Sequence, residues 1–78
     1  MRELTALKKD IKATREVIGD INRRIQGYRV QLLETSSASK RMLLEANLVA
    51  ELSNLDACRQ QLQELLEEKT LMKGKSNG

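Results

Sequence analysis

The segment ETSSASKR, residues 34–41, is the place where the recurring apolar residues of this chain give way to small hydroxyl-bearing ones. Ser and Thr side chains compete with the helical backbone for hydrogen bonds, and they are favoured at helix N-caps. The segment is therefore either a turn between two helices or a polar interval in one long helix. The two alternatives differ in whether the apolar patterns on its two sides share one register.

Upstream of the segment, apolar residues recur at alternating steps of three and four, with Thr14 as the one polar member. These positions are Leu4, Leu7, Ile11, Thr14, Ile18, Ile21, Ile25, Tyr28 and Leu32. Such a heptad pattern is typical of a helix that packs along another helix, and it predicts a helix over about residues 2–34. Gly19 and Gly27 lie off this seam, and each costs about 1 kcal/mol relative to Ala in an exposed helix interior.

Downstream of the segment, leucine dominates, and the apolar positions again recur along one side of a helix. They are Leu44, Leu48, Leu52, Leu55, Cys58, Leu62, Leu65 and Leu66. This pattern predicts a second helix over about residues 38–73. Lys69 and Lys73 suit the negative end of its dipole, and Gly74 is expected to end it in a left-handed cap. Residues 75–78 are predicted to form a disordered tail.

The registers of the two patterns decide between a hairpin and a rod. Extending the first seam beyond Leu32 would place Ser53 and Asp56 at core positions, where leucine is expected. Stutters and stammers shift a coiled coil by four or three residues, whereas joining these two patterns requires a shift of one or two. One continuous helix does not accommodate such a shift, so the patterns favour two separate helices.

This change of register predicts the fold. We expect an all-α protein that forms an antiparallel, coiled-coil-like hairpin, with a single domain over residues 1–74 and a turn over about residues 35–38. The N-cap of the second helix is expected to be Ser36, Ser37 or Ser39, because a hydroxyl can accept a hydrogen bond from the first turn of a helix.

The two predicted helices carry opposite net charges. Residues 2–34 contain eight basic and five acidic side chains, a balance of +3, whereas residues 42–72 contain two basic and six acidic side chains, a balance of −4. Folding back near Ser37 would place oppositely charged side chains across from each other. The expected neighbours are Arg29 with Glu45, Arg23 and Arg24 with Glu51, and Lys8 and Lys9 with Glu64, Glu67 and Glu68. Each exposed pair contributes about 0–1 kcal/mol, so the pattern specifies orientation more than it stabilises the fold.

The second helix is predicted to carry more apolar surface than one neighbouring helix covers. Its apolar arc is about 140° wide, counting 100° per residue, and further apolar residues lie beside the seams at Val17, Val30, Leu33 and Val49. A second copy related by a twofold axis would bury this surplus in a four-helix bundle, and a different helical protein would do so equally well. The expected association face consists of Ile18, Ile25, Leu48, Leu52, Leu55, Leu62, Leu65 and Leu66.

The composition argues against several classes of function. The 78-residue chain contains no His and a single Cys, and it has no Gly-rich phosphate loop. We therefore expect no catalysis, no cofactor and no metal site, and we expect Cys58 to be a small core residue. No apolar run approaches the roughly 20 residues needed to cross a bilayer, so the expected protein is cytoplasmic and does not contact membranes.

These features predict a small non-enzymatic interaction or assembly module, such as an adaptor, an escort or a regulatory subunit, that acts through its apolar heptad faces. The alternative is a nucleic-acid-binding helical bundle that uses the basic stripe of the first helix. Its predicted contacts to a polyanion are Lys9, Lys12, Arg23 and Arg24. Nucleic acid is not favoured, because base stacking needs aromatic side chains and Tyr28 is the only aromatic residue.

Overall fold

The computed structural model describes residues 3–76, which form two helices joined by a short turn. Helix α1 spans Leu4–Glu34 and helix α2 spans Ala38–Ser76. The helices pack against each other in antiparallel directions, and their Cα atoms extend over 61 × 15 × 14 Å. The predicted helical hairpin is confirmed. A continuous rod is excluded, because one helix over these residues would be about 110 Å long.

Hydrogen bonds from side chains fix the turn. The hydroxyl of Ser37 accepts a bond from the Lys40 backbone N–H at 3.3 Å, which makes Ser37 the N-cap of α2. The hydroxyl of Thr35 accepts a bond from the Ser37 backbone N–H at 3.3 Å. Across the turn, the Arg41 guanidinium donates to the backbone carbonyl oxygens of Leu32 at 3.1 Å and Thr35 at 3.3 Å. The last carbonyl groups of a helix lack partners within it, so Arg41 satisfies groups that the end of α1 leaves open.

Two apolar clusters form the interface between the helices. At the open end of the hairpin, opposite the turn, the cluster consists of Leu7, Ile11 and Leu65, with Leu62, Leu66 and Met72 packed against it. The central cluster consists of Ile21, Ile25 and Leu55, with Ile18, Leu48 and Cys58 packed against it. Thr14 is also buried, at 8% exposure, and its hydroxyl donates to the Asp10 carbonyl oxygen at 2.8 Å. This bond satisfies the buried hydroxyl within its own helix.

The predicted seam of α1 faces α2 along its whole length. All nine of its positions, from Leu4 to Leu32, are buried or half-buried in the structure. Helix α1 begins at Leu4, two residues later than predicted, because Glu3 has an extended backbone with φ −68° and ψ 153°. In heptad letters, Leu4 occupies position a and Leu7 occupies position d, and the other seam positions follow from these two.

Helix α2 follows an equally regular heptad, which includes two polar members. Its inward positions are Leu44, Leu48, Glu51, Leu55, Cys58, Leu62, Leu65, Lys69 and Met72, all of them buried or half-buried. Leu48 occupies position a and Leu44 position d. The apolar pattern did not predict Glu51 or Lys69 on this seam, because it counted leucines on a wider arc of the helix.

The C-terminal end of α2 differs from the prediction. The helix passes through Gly74 and ends at Ser76, and no glycine within residues 3–76 has a positive φ. The predicted left-handed cap at Gly74 is therefore wrong. Glycine accepts a helical backbone at a cost of about 1 kcal/mol relative to Ala, which a continuing helix can absorb. Of the predicted disordered tail, residues 75–76 are helical, and residues 77–78 lie outside the described part of the chain.

Candidate interaction surface

The predicted association face divides between the core of the hairpin and its surface. Ile25, Leu55 and Leu65 are buried between the helices and offer little surface to another molecule. Four members are half-buried and border this core: Ile18, Leu48, Leu62 and Leu66. Leu52 is exposed. The surface available for association is therefore smaller than the predicted set, because α1 itself covers most of the leucine arc of α2.

One ion pair and one shared groove show which sides of the helices lie together. Arg24, at position g of α1, donates from Nε to Oε2 of Glu51, at position d of α2, over 3.0 Å. Lys69, at position a of α2, lines one groove together with Ile11 and Lys12, at positions a and b of α1. Positions a, e and b of both helices therefore share one side of the hairpin, and positions d, g and c share the other.

Exposed apolar side chains lie on the a/e/b side near the turn. Met42 and Val49 occupy position b of α2, Leu52 occupies position e, and Leu33 occupies position b of α1. Their exposed fractions are 71%, 66%, 41% and 88%, respectively. These four residues are named the turn-end patch. The remaining exposed large apolar side chains lie at other heptad positions; they are Val17, Val30, Leu43 and Leu71.

A shallow groove of about 680 Å³ lies on the same side at the open end of the hairpin. Its cationic walls are formed by Lys8, Lys12 and Arg15 of α1 and by Lys69 of α2, and the buried side chain of Ile11 lies at its base. This groove, with its four cationic wall residues, is named the basic groove. They place four formal positive charges around one concave surface, which suits the binding of an anionic group.

The groove extends along α1 past a glycine. Gly19 lines it together with Glu16, Asp20 and Arg23. A Cβ at Gly19 would lie 3.9 Å from the Arg23 guanidinium, an ordinary van der Waals contact, so an alanine would fit at this point. Arg23 donates a hydrogen bond to Asp20, three residues earlier in the same helix. This ion pair offsets the charge of Arg23, so the positive potential is concentrated toward the open end.

The structure brings together half of the predicted polyanion contacts. Lys12 and Arg23 line the groove, whereas Lys9 and Arg24 do not. Arg24 instead forms the predicted ion pair with Glu51, which is confirmed. The Glu51 side chain is 15% exposed and the Arg24 side chain 49%, so the pair is only partly shielded from water. Arg23 was also expected beside Glu51, and it pairs within its own helix instead.

Lys8, Arg15 and Lys69 line the groove but were not among the predicted polyanion contacts. Lys8 was expected to lie near acidic residues of the second helix, and Lys69 was considered only as a complement to the helix dipole. A signal was present, because extending the heptad of Leu48, Leu55 and Leu62 by seven residues leads to Lys69. That extension places an ammonium group at an inward position beside α1.

Other kinds of site find little support in the described residues. Cys58 is a half-buried free thiol packed against the central cluster, in agreement with its predicted core position. No group of three or more His, Cys, Asp or Glu side chains within the described residues is arranged to hold a metal ion. Neither helix, over the same residues, contains a stretch that is long and apolar enough to cross a membrane.

Comparison with known proteins gave no match among protein-family models, curated proteins or solved structures.

Proposed function

We propose that this protein is a non-enzymatic helical assembly module, of the kind that serves as an adaptor, an escort or a regulatory subunit. It associates through the turn-end patch. The observation that carries the proposal is the exposure of Leu33, Met42 and Val49 after the hairpin has closed. Burial of one such side chain contributes up to about 1.5–3 kcal/mol, so a surface of this kind favours association with another apolar face.

The first candidate for the partner is a second copy of the chain. Twofold symmetry places a surface patch against the same patch of the other copy, and the overlapping regions would form a four-helix bundle. A twofold axis through the turn-end patch, perpendicular to the helices, brings Met42, Val49 and Leu52 of both copies together. The two basic grooves then lie at opposite ends of the dimer, well separated.

Other twofold arrangements on this side of the hairpin are less favourable. An axis parallel to the helices would set the two basic grooves against each other and create like-charge repulsion. An axis through the middle of the hairpin would lay each groove over the turn-end patch of the other copy. Burying lysine ammonium groups against leucine and valine would cost several kcal/mol per unpaired charge. The dimer whose twofold axis passes through the turn-end patch is named the staggered dimer. It avoids both the like-charge repulsion and the burial of lysine against apolar side chains.

Sedimentation equilibrium tests the proposal. We expect the unmodified protein to dimerise at micromolar concentration and the double variant Val49→Glu/Leu52→Glu to be monomeric, with the helical circular dichroism signal retained. Val30→Glu is the matched control, because Val30 is an exposed apolar residue at a position outside the patch. It should leave the dimer unchanged.

Small-angle scattering distinguishes the staggered dimer from a side-by-side one. Overlap of the turn halves alone would give a longest dimension of about 90 Å, whereas complete overlap would stay close to the length of one hairpin. An unmodified protein that remains a cooperatively folded monomer at high micromolar concentration would contradict the self-association proposal.

A second candidate function is nucleic-acid binding. It is favoured by the convergence of Lys12 and Arg23 with three other cations in one groove. It is weakened by the ion pair between Arg23 and Asp20 and by the position of Tyr28, which is half-buried on the α1 seam and cannot offer a full ring face to a base. Non-specific attraction to polyanions is expected at low salt and should fall steeply as salt is raised.

A further inference from the structure

The basic groove has a regular geometry on α1. Lys8, Lys12 and Arg15 are spaced i, i+4 and i+7, so their side chains form one stripe along the helix, with Lys69 of α2 on the facing wall. The Ile11 side chain that lines the groove is only 4% exposed, and the half-buried Leu66, at position e of α2, lies on the same side of the hairpin but outside the groove lining. The site thus combines a row of cations at helical spacing with a half-buried leucine beside it.

Lys69 is poorly explained by the stability of the hairpin alone. It occupies an inward position a, half-buried, where leucine fills the equivalent positions one and two heptads earlier. A charged group at such a position weakens helix pairing relative to an aliphatic side chain. None of the side chains that the structure describes forms an ion pair with Lys69, Lys8, Lys12 or Arg15. The four cations therefore remain available to an anionic ligand from outside the hairpin.

We propose that the basic groove binds an acidic amphipathic helix of another protein. Carboxylates at i, i+4 and i+7 of that helix lie along the α1 stripe and reach Lys69, and an adjoining row of aliphatic residues packs on Leu66 beside the groove. This is helix-in-groove recognition with charge complementarity. The site is separate from the turn-end patch, so this inference goes beyond the proposed self-association and stands without it.

The composition of the groove favours a helix over a nucleic acid. A phosphate backbone presents continuous negative charge, and beyond Arg15 it would meet the carboxylates of Glu16 and Asp20 on the same groove wall. A helix can place carboxylates against the cations and a basic or neutral residue against Glu16. No aromatic ring among the described residues lines the groove to stack on a nucleobase, whereas the half-buried Leu66 beside it can pack against an aliphatic side chain.

A designed peptide tests this inference on the full chain. The probe is a fluorescein-labelled helix of about 18 residues with Glu at i, i+4 and i+7, Gln at i+11, and Leu along the adjoining face. The control is a scrambled peptide of the same composition, in which Glu and Leu are distributed over all faces of the helix. At about 150 mM salt, we expect the in-phase peptide to bind about tenfold more tightly than the scrambled one.

Variants locate the binding. Lys12→Gln/Arg15→Gln should weaken binding of the in-phase peptide about tenfold, because two charge-assisted contacts are lost. Lys9→Gln/Arg29→Gln removes two charges from the same helix outside the groove and should leave affinity unchanged. Lys69→Leu should raise the urea midpoint of unfolding, because leucine suits position a, and should weaken peptide binding at the same time. A purely structural role for Lys69 would move the midpoint and leave the affinity as it was.

Several outcomes would overturn the inference. One is equal affinity for the two peptides, or no measurable binding of either. Another is an equal loss of affinity in the groove and control double variants. The last is tighter binding of a 15-nucleotide single-stranded DNA than of the peptide. The last outcome would establish the nucleic-acid alternative. Sedimentation of the same variants separates this inference from self-association, because the groove variants should dimerise like the unmodified protein.

Discussion

At the scale of single residues, the turn depends on a few polar side chains that act on the ends of two helices. Ser37 caps the first turn of α2, and Thr35 binds the backbone of Ser37. Arg41 reaches back to the end of α1. The hydroxyl-rich segment predicted a cap without distinguishing among three serines, and it gave no sign of Arg41. The role of Arg41 depends on the backbone path of the turn, which only the folded structure specifies.

Replacement of the cap residue tests this account. Ser37→Ala removes the acceptor of the Lys40 N–H bond and should lower the free energy of unfolding by about 0.5–2 kcal/mol. Ser36→Ala is the matched control, since Ser36 is exposed and lies one residue earlier in the same turn. It should change stability by less than about 0.5 kcal/mol. Urea unfolding of both variants measures the difference, and equal effects would show that Ser37 does not act as a cap.

At the scale of elements, α1 was predictable and α2 only partly so. On α1, isoleucine and leucine occupy a narrow seam with few apolar residues elsewhere, so the pattern alone identified the inward side. On α2, leucines at positions a, d and e form a wide arc, and the inward side depends on how α1 lies against it. Glu51 is the clearest example of an inward position on α2 that the sequence pattern alone does not identify. A carboxylate counts against a seam position until its partner, Arg24, is known to lie across from it.

The candidate site also depends on how the two helices lie against each other, so the pattern of each helix alone does not predict it. The basic groove joins Lys12 and Lys69, which are remote in sequence and become neighbours only when the two helices are aligned in one register. The exposed positions of Met42 and Val49 likewise follow from the register of α2. Sequence patterns predicted that apolar surface would remain outside the hairpin, and Leu52 is exposed as they predicted, but most of the predicted face lies between the helices or borders that core.

Paired leucines on α2 test the assigned register. Leu55 is 7% exposed in the central cluster, so Leu55→Ala should lower the free energy of unfolding by about 2–5 kcal/mol. Leu52 lies three residues earlier and is exposed, so Leu52→Ala should lower it by less than about 1 kcal/mol in dilute, monomeric protein. Chemical denaturation at low concentration compares them. A larger effect at Leu52 than at Leu55 would mean that the register of α2 is wrong.

At the scale of the whole molecule, one side of the hairpin has two ends of different chemistry. The turn end carries exposed aliphatic side chains, and the open end carries the basic groove. In the proposed functions, the hairpin pairs with its own copy at the turn end and presents cations to a partner helix at the open end. The proposed self-association and the proposed peptide binding should respond to different variants in the sedimentation and peptide-binding experiments.

The bonds of Arg41 across the turn also have a consequence for the order of folding. They join residues nine apart in sequence, whereas contact between Leu7 and Leu65 closes a loop roughly six times longer. Closing the longer loop costs about 1.6 kcal/mol more in chain entropy. We therefore expect the helices to pair first next to the turn and to separate first at the open end of the hairpin. Backbone amides near Leu7 and Leu65 should then exchange with deuterium faster than those near Ile21 and Leu55. Uniform protection along both helices would contradict this order. A helix bound in the basic groove should slow amide exchange selectively at the open end of the hairpin, which separates first.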